Sequence, residues 1–189
     1  MFTLKPIPHL DTNIQEYLVT EEIIEKLAFS NNPEGVVFLC DMPKNIPAKL
    51  DKVVYLDNIN DPGNMGTIIR TAFAFNYDAV IVSSNSVNVY NEKVIAASKG
   101  SIFLMPILEG ELDTYLSNQK GIVSTLNNKS VELDSLATPE SFILVLGNEA
   151  HGVDKAIEEK ADIAVKIPMQ NIDSLNVSIA AGILMYKLR

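Results

Sequence analysis

The carboxyl-terminal stretch constrains the fold more than any other part of this chain. Residues 162–168, Asp-Ile-Ala-Val-Lys-Ile-Pro, form a short apolar run that alternates into a proline, which reads as a strand stopped where its next N–H is missing. Residues 169–173 are a polar turn, and residues 174–186 carry helical spacing with Asp173 or Ser174 as the expected cap and Asn176 as a further capping candidate. Within that helix Leu175, Val177, Ile179, Ala180, Ile183, Leu184, Met185 and Leu188 cover nearly every direction, so one sheet face cannot bury them all. A subunit interface is the simplest second surface. The expected arrangement has Leu184, Leu188 and Val177 on the interface side and Leu175 and Ile179 on the sheet side.

Upstream, strands are expected at residues 53–57, 79–83, 102–106, 121–125, 142–147 and 163–167. They alternate with helices near 65–75, 91–98, 110–118, 153–160 and 174–187, which predicts an α/β domain with a mostly parallel sheet flanked by helices. In the helix after the first strand, Met65, Ile68, Ile69, Ala72 and Phe73 make one stripe from which Arg70 points away. Residues 1–52 hold a helix at 21–29 and a strand at 35–41, and the proline-punctuated segment 42–49 places the domain boundary between 1–49 and 50–189.

Composition excludes several function classes. The 189 residues carry a formal charge of −9, and the basic residues include two arginines, Arg70 and Arg189, so nucleic acid would have to be gripped locally. The candidates for that grip are Lys44, Lys49, Lys52, Arg70, Lys93 and Lys99. One cysteine and two histidines argue against a metal site, and Cys40, behind Phe38 and Leu39, reads as a buried thiol. No apolar run is long enough to span a membrane and Met1–Pro6 does not read as a signal peptide, so a cytoplasmic protein is expected.

In a parallel sheet ligands bind beyond the carboxyl ends of the strands. The segments expected there are 58–64, 84–86, 126–129, 148–152 and 169–173, and they are rich in asparagine, glycine and small residues. That polar, uncharged rim suits a nucleoside, and it equally suits plain turn formation. A Gly-x-Gly-x-x-Gly fingerprint is missing, which disfavours a nucleotide-dependent oxidoreductase. Gly147 to Gly152 has the spacing of a phosphate loop, with Val153-Asp154 where Lys and Ser/Thr are required. Gly63-Asn64-Met65-Gly66 matches a short RNA-clamping Gly-x-x-Gly, a pattern easily met by chance. His151, flanked by a glycine, reads as a rim residue.

Three longer segments are more specific: 56–72 (LDNINDPGNMGTIIRTA), 144–153 (LVLGNEAHGV) and 167–182 (IPMQNIDSLNVSIAAG). Together they resemble the ordered signature motifs of the SpoU (TrmH-like) RNA ribose 2′-O-methyltransferases of the SPOUT superfamily. Residues 93–101 resemble the family's mid-domain segment, with Ala96 where many members have arginine. The resemblance implies a C-terminal trefoil knot, preceded here by a short partial α/β N-terminal segment in which residues 17–41 match the later half of the family's RNA-binding domain. That pattern fits an abbreviated member or a sequence without its natural start. It also implies S-adenosylmethionine as cofactor, held near Leu146, Gly147, Ile167, Met169, Leu175 and Asn176, and a homodimer built partly on the C-terminal helix. Arg70 would be the catalytic arginine, with Asn64 and Glu149 shaping the site around it and Ser174 and Asn176 completing it. The implied activity is methyl transfer to a ribose 2′-hydroxyl of structured RNA, ribosomal RNA before tRNA. The competing reading is a non-catalytic RNA-binding protein that has kept the knotted fold.

Overall fold

The apolar runs of residues 52–166 pair as one sheet in which every neighbouring pair of strands is parallel. In the computed structural model all of residues 1–189 are described except Phe29, Asn31, Ser117, Asn118, Asn128 and Glu149. The chain divides into two units, Met1–Pro43 and Lys44–Arg189. In the first, β1 (Phe2–Thr3) pairs in parallel with β2 (Tyr17–Leu18) and antiparallel with β3 (Val36–Val37), while α1 (Glu21–Leu27) buries Ile24. The strand expected at 35–41 shrinks to two residues because its partner β1 is only two residues long. Cys40 lies beyond it and is exposed, against the expected buried thiol.

The second unit runs β4 (Lys52–Leu56), α2 (Pro62–Ala74), β5 (Ala79–Val82), α3 (Glu92–Ser98), β6 (Ile107–Glu109), β7 (Lys120–Ser124), β8 (Val131–Glu132), β9 (Phe142–Leu146), α4 (Lys155–Glu158), β10 (Ile163–Lys166) and α5 (Val177–Lys187). The sheet order is β6-β5-β4-β9-β7-β10-β8. Both faces are covered, as parallel sheets require. On one face Val54, Leu56, Val80, Leu144 and Val165 meet Met65, Ile68 and Ile69 of α2 and Ala181, Leu184 and Met185 of α5. On the other, Val53, Tyr55, Ile81, Ile143 and Val145 meet Leu112, Val153 and Ile157. Burying Tyr55 pushes its phenol up to about 12.

Several sequence expectations are corrected. Residues 101–103 form a 3-10 turn instead of opening a strand, and β6 starts only after Pro106, whose carbonyl accepts from Val80 N–H at 3.0 Å. An apolar run does not distinguish a buried turn from a buried strand. The helix expected at 110–118 is, among the described residues, a short 3-10 turn at Leu112–Thr114. α2 begins at Pro62 because Asp61 caps it, its carboxylate accepting Asn64 N–H at 2.7 Å, and Pro62 fills a first-turn position that needs no N–H. Phe73, placed on the buried stripe, is 44% exposed. α5 starts at Val177 under Asn176, not under Asp173 or Ser174.

The faces of α5 are the reverse of those expected. Leu184 and Leu188 are fully buried and Val177 is 8% exposed, whereas Ile179 is 55%, Ile183 39% and Tyr186 56% exposed. The partition into two faces is as expected and only the sides are exchanged, since a helix that is apolar in nearly every direction does not itself say which face turns to the sheet.

Gly66 fixes how α2 meets α3. A Cβ there would lie 2.5 Å from the Val94 carbonyl oxygen and 2.6 Å from Ala97 Cβ, so the glycine serves close helix packing. Gly66→Ala is expected to destabilise the unit by about 1–3 kcal/mol despite alanine's better helix propensity, read as a lower urea midpoint with unchanged slope.

Candidate functional site

The carboxyl ends of β7, β9 and β10 lie side by side and open into a cavity of about 380 Å³. Leu146, Gly147, Ile167, Met169, Ser174 and Leu175 line it, so the cavity gathers most of the residues expected to hold a cofactor together with one of the expected catalytic residues. A second depression of about 510 Å³ shares Leu126, Lys166, Ile167 and Met169 with the first and runs along residues 168–173.

The loop after β9 forms the roof. Gly147 allows it: a Cβ there would sit 2.2 Å from Val153 N and 2.3 Å from the Gly152 carbonyl carbon, so no other residue lets the chain turn back so tightly. Asn148 then ties the loop. Its Oδ1 accepts Ala150 N–H at 2.8 Å and His151 N–H at 3.2 Å, and its Nδ2 donates to the Asn58 carbonyl at 2.9 Å. The far end of the loop is held by Asp57, whose Oδ2 accepts Asp154 N–H at 2.8 Å. Burial raises the Asp57 carboxyl above its ordinary range, while the hydrogen bond from Asp154 opposes the shift. Glu149 lies outside the described residues.

The first and third motifs meet through asparagines. Asn176 Nδ2 donates to Asn64 Oδ1 at 3.0 Å across 112 positions of sequence. Its Oδ1 accepts Ser178 N–H at 2.9 Å, Ser178 Oγ at 2.6 Å and Ile179 N–H at 3.4 Å, capping α5. Asn64 and Asn176 stand outside the cavity lining, as does Arg70, which is exposed on α2. The Arg70 guanidinium makes no ion pair with a described residue. Of the expected RNA-binding lysines, Lys49 is already engaged, 2.9 Å from Asp51 and 3.8 Å from Asp78.

Sequence reading passed over Glu158, Thr125 and Lys166, which also line the cavity. Their segments were expected as a helix and two strand ends, and no local pattern marked their side chains as facing a common space. Among the described residues there is no group of His, Cys, Asp and Glu that could hold a metal, and no helix is long and apolar enough to cross a membrane.

Residues 51–186 match the SpoU rRNA Methylase family. A 23S rRNA (guanosine(2553)-2′-O)-methyltransferase, RlmP of Bacillus subtilis, is 35% identical over 95% of this chain and 75% of its own length. A putative TrmH family tRNA/rRNA methyltransferase of Staphylococcus epidermidis is 33% identical over 75% of this chain and 59% of its own length. Among solved structures, a putative RNA methyltransferase of the TrmH family from Porphyromonas gingivalis superposes with a TM-score of 0.83 at 26% identity, covering 96% of this chain and 76% of that one. An AdoMet-bound rRNA methyltransferase from Sinorhizobium meliloti gives 0.78 at 26% identity, covering 92% and 71%. With the family match spanning nearly the whole second unit and its motifs meeting at one sheet edge, this chain belongs to the SpoU rRNA methylase family.

Proposed function

We propose that this protein is an S-adenosylmethionine-dependent methyltransferase acting on a ribose 2′-hydroxyl of structured RNA, with ribosomal RNA as the substrate class. The observation that carries the reading is the meeting of three sequence-distant motifs at one sheet edge, through the Asn64–Asn176 and Asn148–Asn58 hydrogen bonds, around a cavity of about 380 Å³. That volume is in the range of small-molecule sites, about 300–1,000 Å³. Its apolar walls at Leu146, Ile167, Met169 and Leu175 suit a purine, and its polar members suit a sugar and an amino-acid tail. The residues present therefore fit the cofactor, with Gly147 completing the wall that would hold it and Asn176, outside the lining, fixing the start of α5 beside it.

When bound, the cofactor supplies an electrophilic methyl group on a sulfonium. The protein's contribution is placement, and holding the hydroxyl in line for displacement is worth about 7–11 kcal/mol of barrier. Arg70 would take the phosphate beside the target nucleotide in its planar fork and stabilise the alkoxide that develops as the hydroxyl loses its proton to phosphate or water. A guanidinium is a poor proton acceptor, so the arginine acts by charge and not as a base. Asn64, Glu149, Ser174 and Asn176 would shape the substrate side.

The same proposal covers the assembly. Within the protomer, Ile179, Gly182, Ile183 and Tyr186 recur at helical spacing on the outer side of α5, and nothing lies within 4 Å of a Cβ added at Gly182. An apolar stripe with a glycine in it suits close packing against a second copy, which makes a homodimer through α5 the preferred form. β10 sits between β7 and β8, with α5 following it on the α2 face, an order that accommodates the trefoil knot. Residues 1–49 would contribute RNA contacts, and the working compartment would be the cytoplasm, where RNA substrates of this class are found.

Arg70→Ala is expected to fold and to bind S-adenosylmethionine as the parent does while losing at least a hundredfold in methyl transfer, measured by mapping 2′-O-methyl positions on ribosomal RNA. Near-normal turnover would remove both the electrostatic role and the assignment of the family's catalytic arginine to Arg70. Ile183→Asp is expected to release monomers in sedimentation without loss of fold; Leu184→Asp would instead unfold the protomer, since Leu184 lies in its own core. RNA affinity of the 189-residue chain is expected to be weak, because few cations meet phosphate, and to fall between 50 and 200 mM salt because what binding there is comes from those charges. Tight, salt-insensitive binding would overturn the charge argument.

A further inference from the structure

Glu158 is the sole carboxylate among the described residues that line the cavity, and it sits at the end of α4 facing the loop after β7. Its Oε1 accepts from Thr125 Oγ1 at 3.3 Å and from Asn127 Nδ2. The Asn127 amide is itself oriented, since its Oδ1 accepts Lys129 N–H at 2.8 Å and Ser130 Oγ at 3.1 Å. Both protein donors land on one oxygen, and Oε2 accepts from no described residue. Nor does any described Lys, Arg or His reach Glu158 within ion-pair distance. A half-buried carboxylate fixed by neutral donors and left with a free oxygen calls for further donors.

We propose that Glu158 recognises the ribose hydroxyls of the nucleoside cofactor, a role that rests on the methyltransferase reading above. Two donor classes meet the chemistry, a sugar diol and an ammonium. The surroundings favour the diol: the groups already on the carboxylate are a hydroxyl and an amide, and Lys166 in the same cavity opposes a second ammonium and suits the carboxylate end of an amino-acid tail. A carboxylate at the carboxyl edge of a parallel sheet is also how doubly wound folds read a ribose diol. The two asparagine-lined loops and the apolar wall then divide the ligand between them, with sugar at β7, and base against Leu146, Ile167 and Leu175.

The test is calorimetric titration of the full chain and of Glu158→Gln with S-adenosylhomocysteine, its 2′-deoxy and 3′-deoxy analogues, and S-adenosylmethionine. Glutamine keeps an acceptor for Thr125 and Asn127 and replaces the free oxygen with a donor, so the melting temperature is expected to stay unchanged. Affinity for S-adenosylhomocysteine is expected to fall about tenfold to a hundredfold, the scale of charge-assisted hydrogen bonds. In the parent at least one deoxy analogue should lose a similar factor, and in Glu158→Gln that analogue and the parent ligand should bind alike. Equal losses for the ligand and both analogues would mean that the carboxylate meets another part of the molecule, and a loss confined to S-adenosylmethionine would mean that it senses the sulfonium charge; either overturns the assignment. An unchanged affinity would restrict Glu158 to tying α4 to the β7 loop. Should Glu158→Gln fail to fold, Asn127→Ala, which loosens the carboxylate without removing it, is expected to show the same coupling at smaller size, and its absence would overturn the proposal. If the parent binds neither S-adenosylmethionine nor S-adenosylhomocysteine, it is the methyltransferase reading that falls, and this assignment falls with it.

Discussion

The Asn176 side chain holds two parts of the architecture at once. Its carbonyl oxygen caps α5 and its amide nitrogen reaches Asn64 near the start of α2. An asparagine is suited to the task because one planar group offers an acceptor and donors in opposite directions. Aspartate would cap as well but could not donate, and serine would reach only one partner. Through this group the position of α5, and with it the strand-turn segment that lines the cavity, depends on the start of α2. Asp61 sets that start by accepting the backbone N–H of Asn64 itself. Cap, tie and cap thus follow one another across 61, 64 and 176, and an error at any of them would propagate to the cavity wall.

A second chain of dependence runs under the roof. Asp57 is 8% exposed and its carboxyl titrates above the ordinary range because burial penalises the ion. The sign follows directly: a carboxyl raised in the folded state contributes most below the ordinary carboxylate range, and that contribution is lost as pH rises through the raised value. Near neutrality the fold therefore carries a cost at Asp57. What it gains is the hydrogen bond to Asp154 N–H, which fixes the far end of the 147–154 loop while Asn148 fixes the near end. A loop pinned at both ends to the β4 edge, and turned at a glycine whose Cβ would collide with the returning chain, has the backbone of its described residues held in place before any ligand arrives. Such preorganisation lowers the ordering cost of binding.

How much of this was legible in the sequence follows from which periods were strong. β4, β5, β7, β9 and β10 are apolar runs bounded by turn residues, and each was placed within a residue or two of its observed ends. β6 was misplaced because residues 102–108 are apolar throughout, and an unbroken run carries no period from which to tell a buried 3-10 turn from a strand. β8 escaped notice because two residues held by β10 show no pattern of their own. In the site, Leu146, Gly147, Ile167, Met169, Ser174 and Leu175 were legible through their motifs. Glu158 was not, since a carboxylate in a single turn of helix has the same sequence signature as a solvated one.

The reversed faces of α5 show where period alone stops. With apolar residues in almost every direction, the helix has no moment to orient it, and the choice of buried face falls to the first residue that is fixed. That residue is Asn176, whose link to Asn64 sets the rotation so that Ala181, Leu184, Met185 and Leu188 turn inward. The stripe left outside is not a defect of packing. Tyr186 lies 5.8 Å from Phe75, edge to face, and Arg189 sits 3.9 Å over the Tyr186 ring, so the last turn is partly shielded by its own neighbours. Ile179 and Ile183, nearer the capped end, are 55% and 39% exposed. Tyr186 is nevertheless 56% exposed, so the outer stripe stays open from Ile179 beside the cap to the last turn, and the rotation that Asn176 sets to bury Leu184 and Leu188 also decides which residues are left in it.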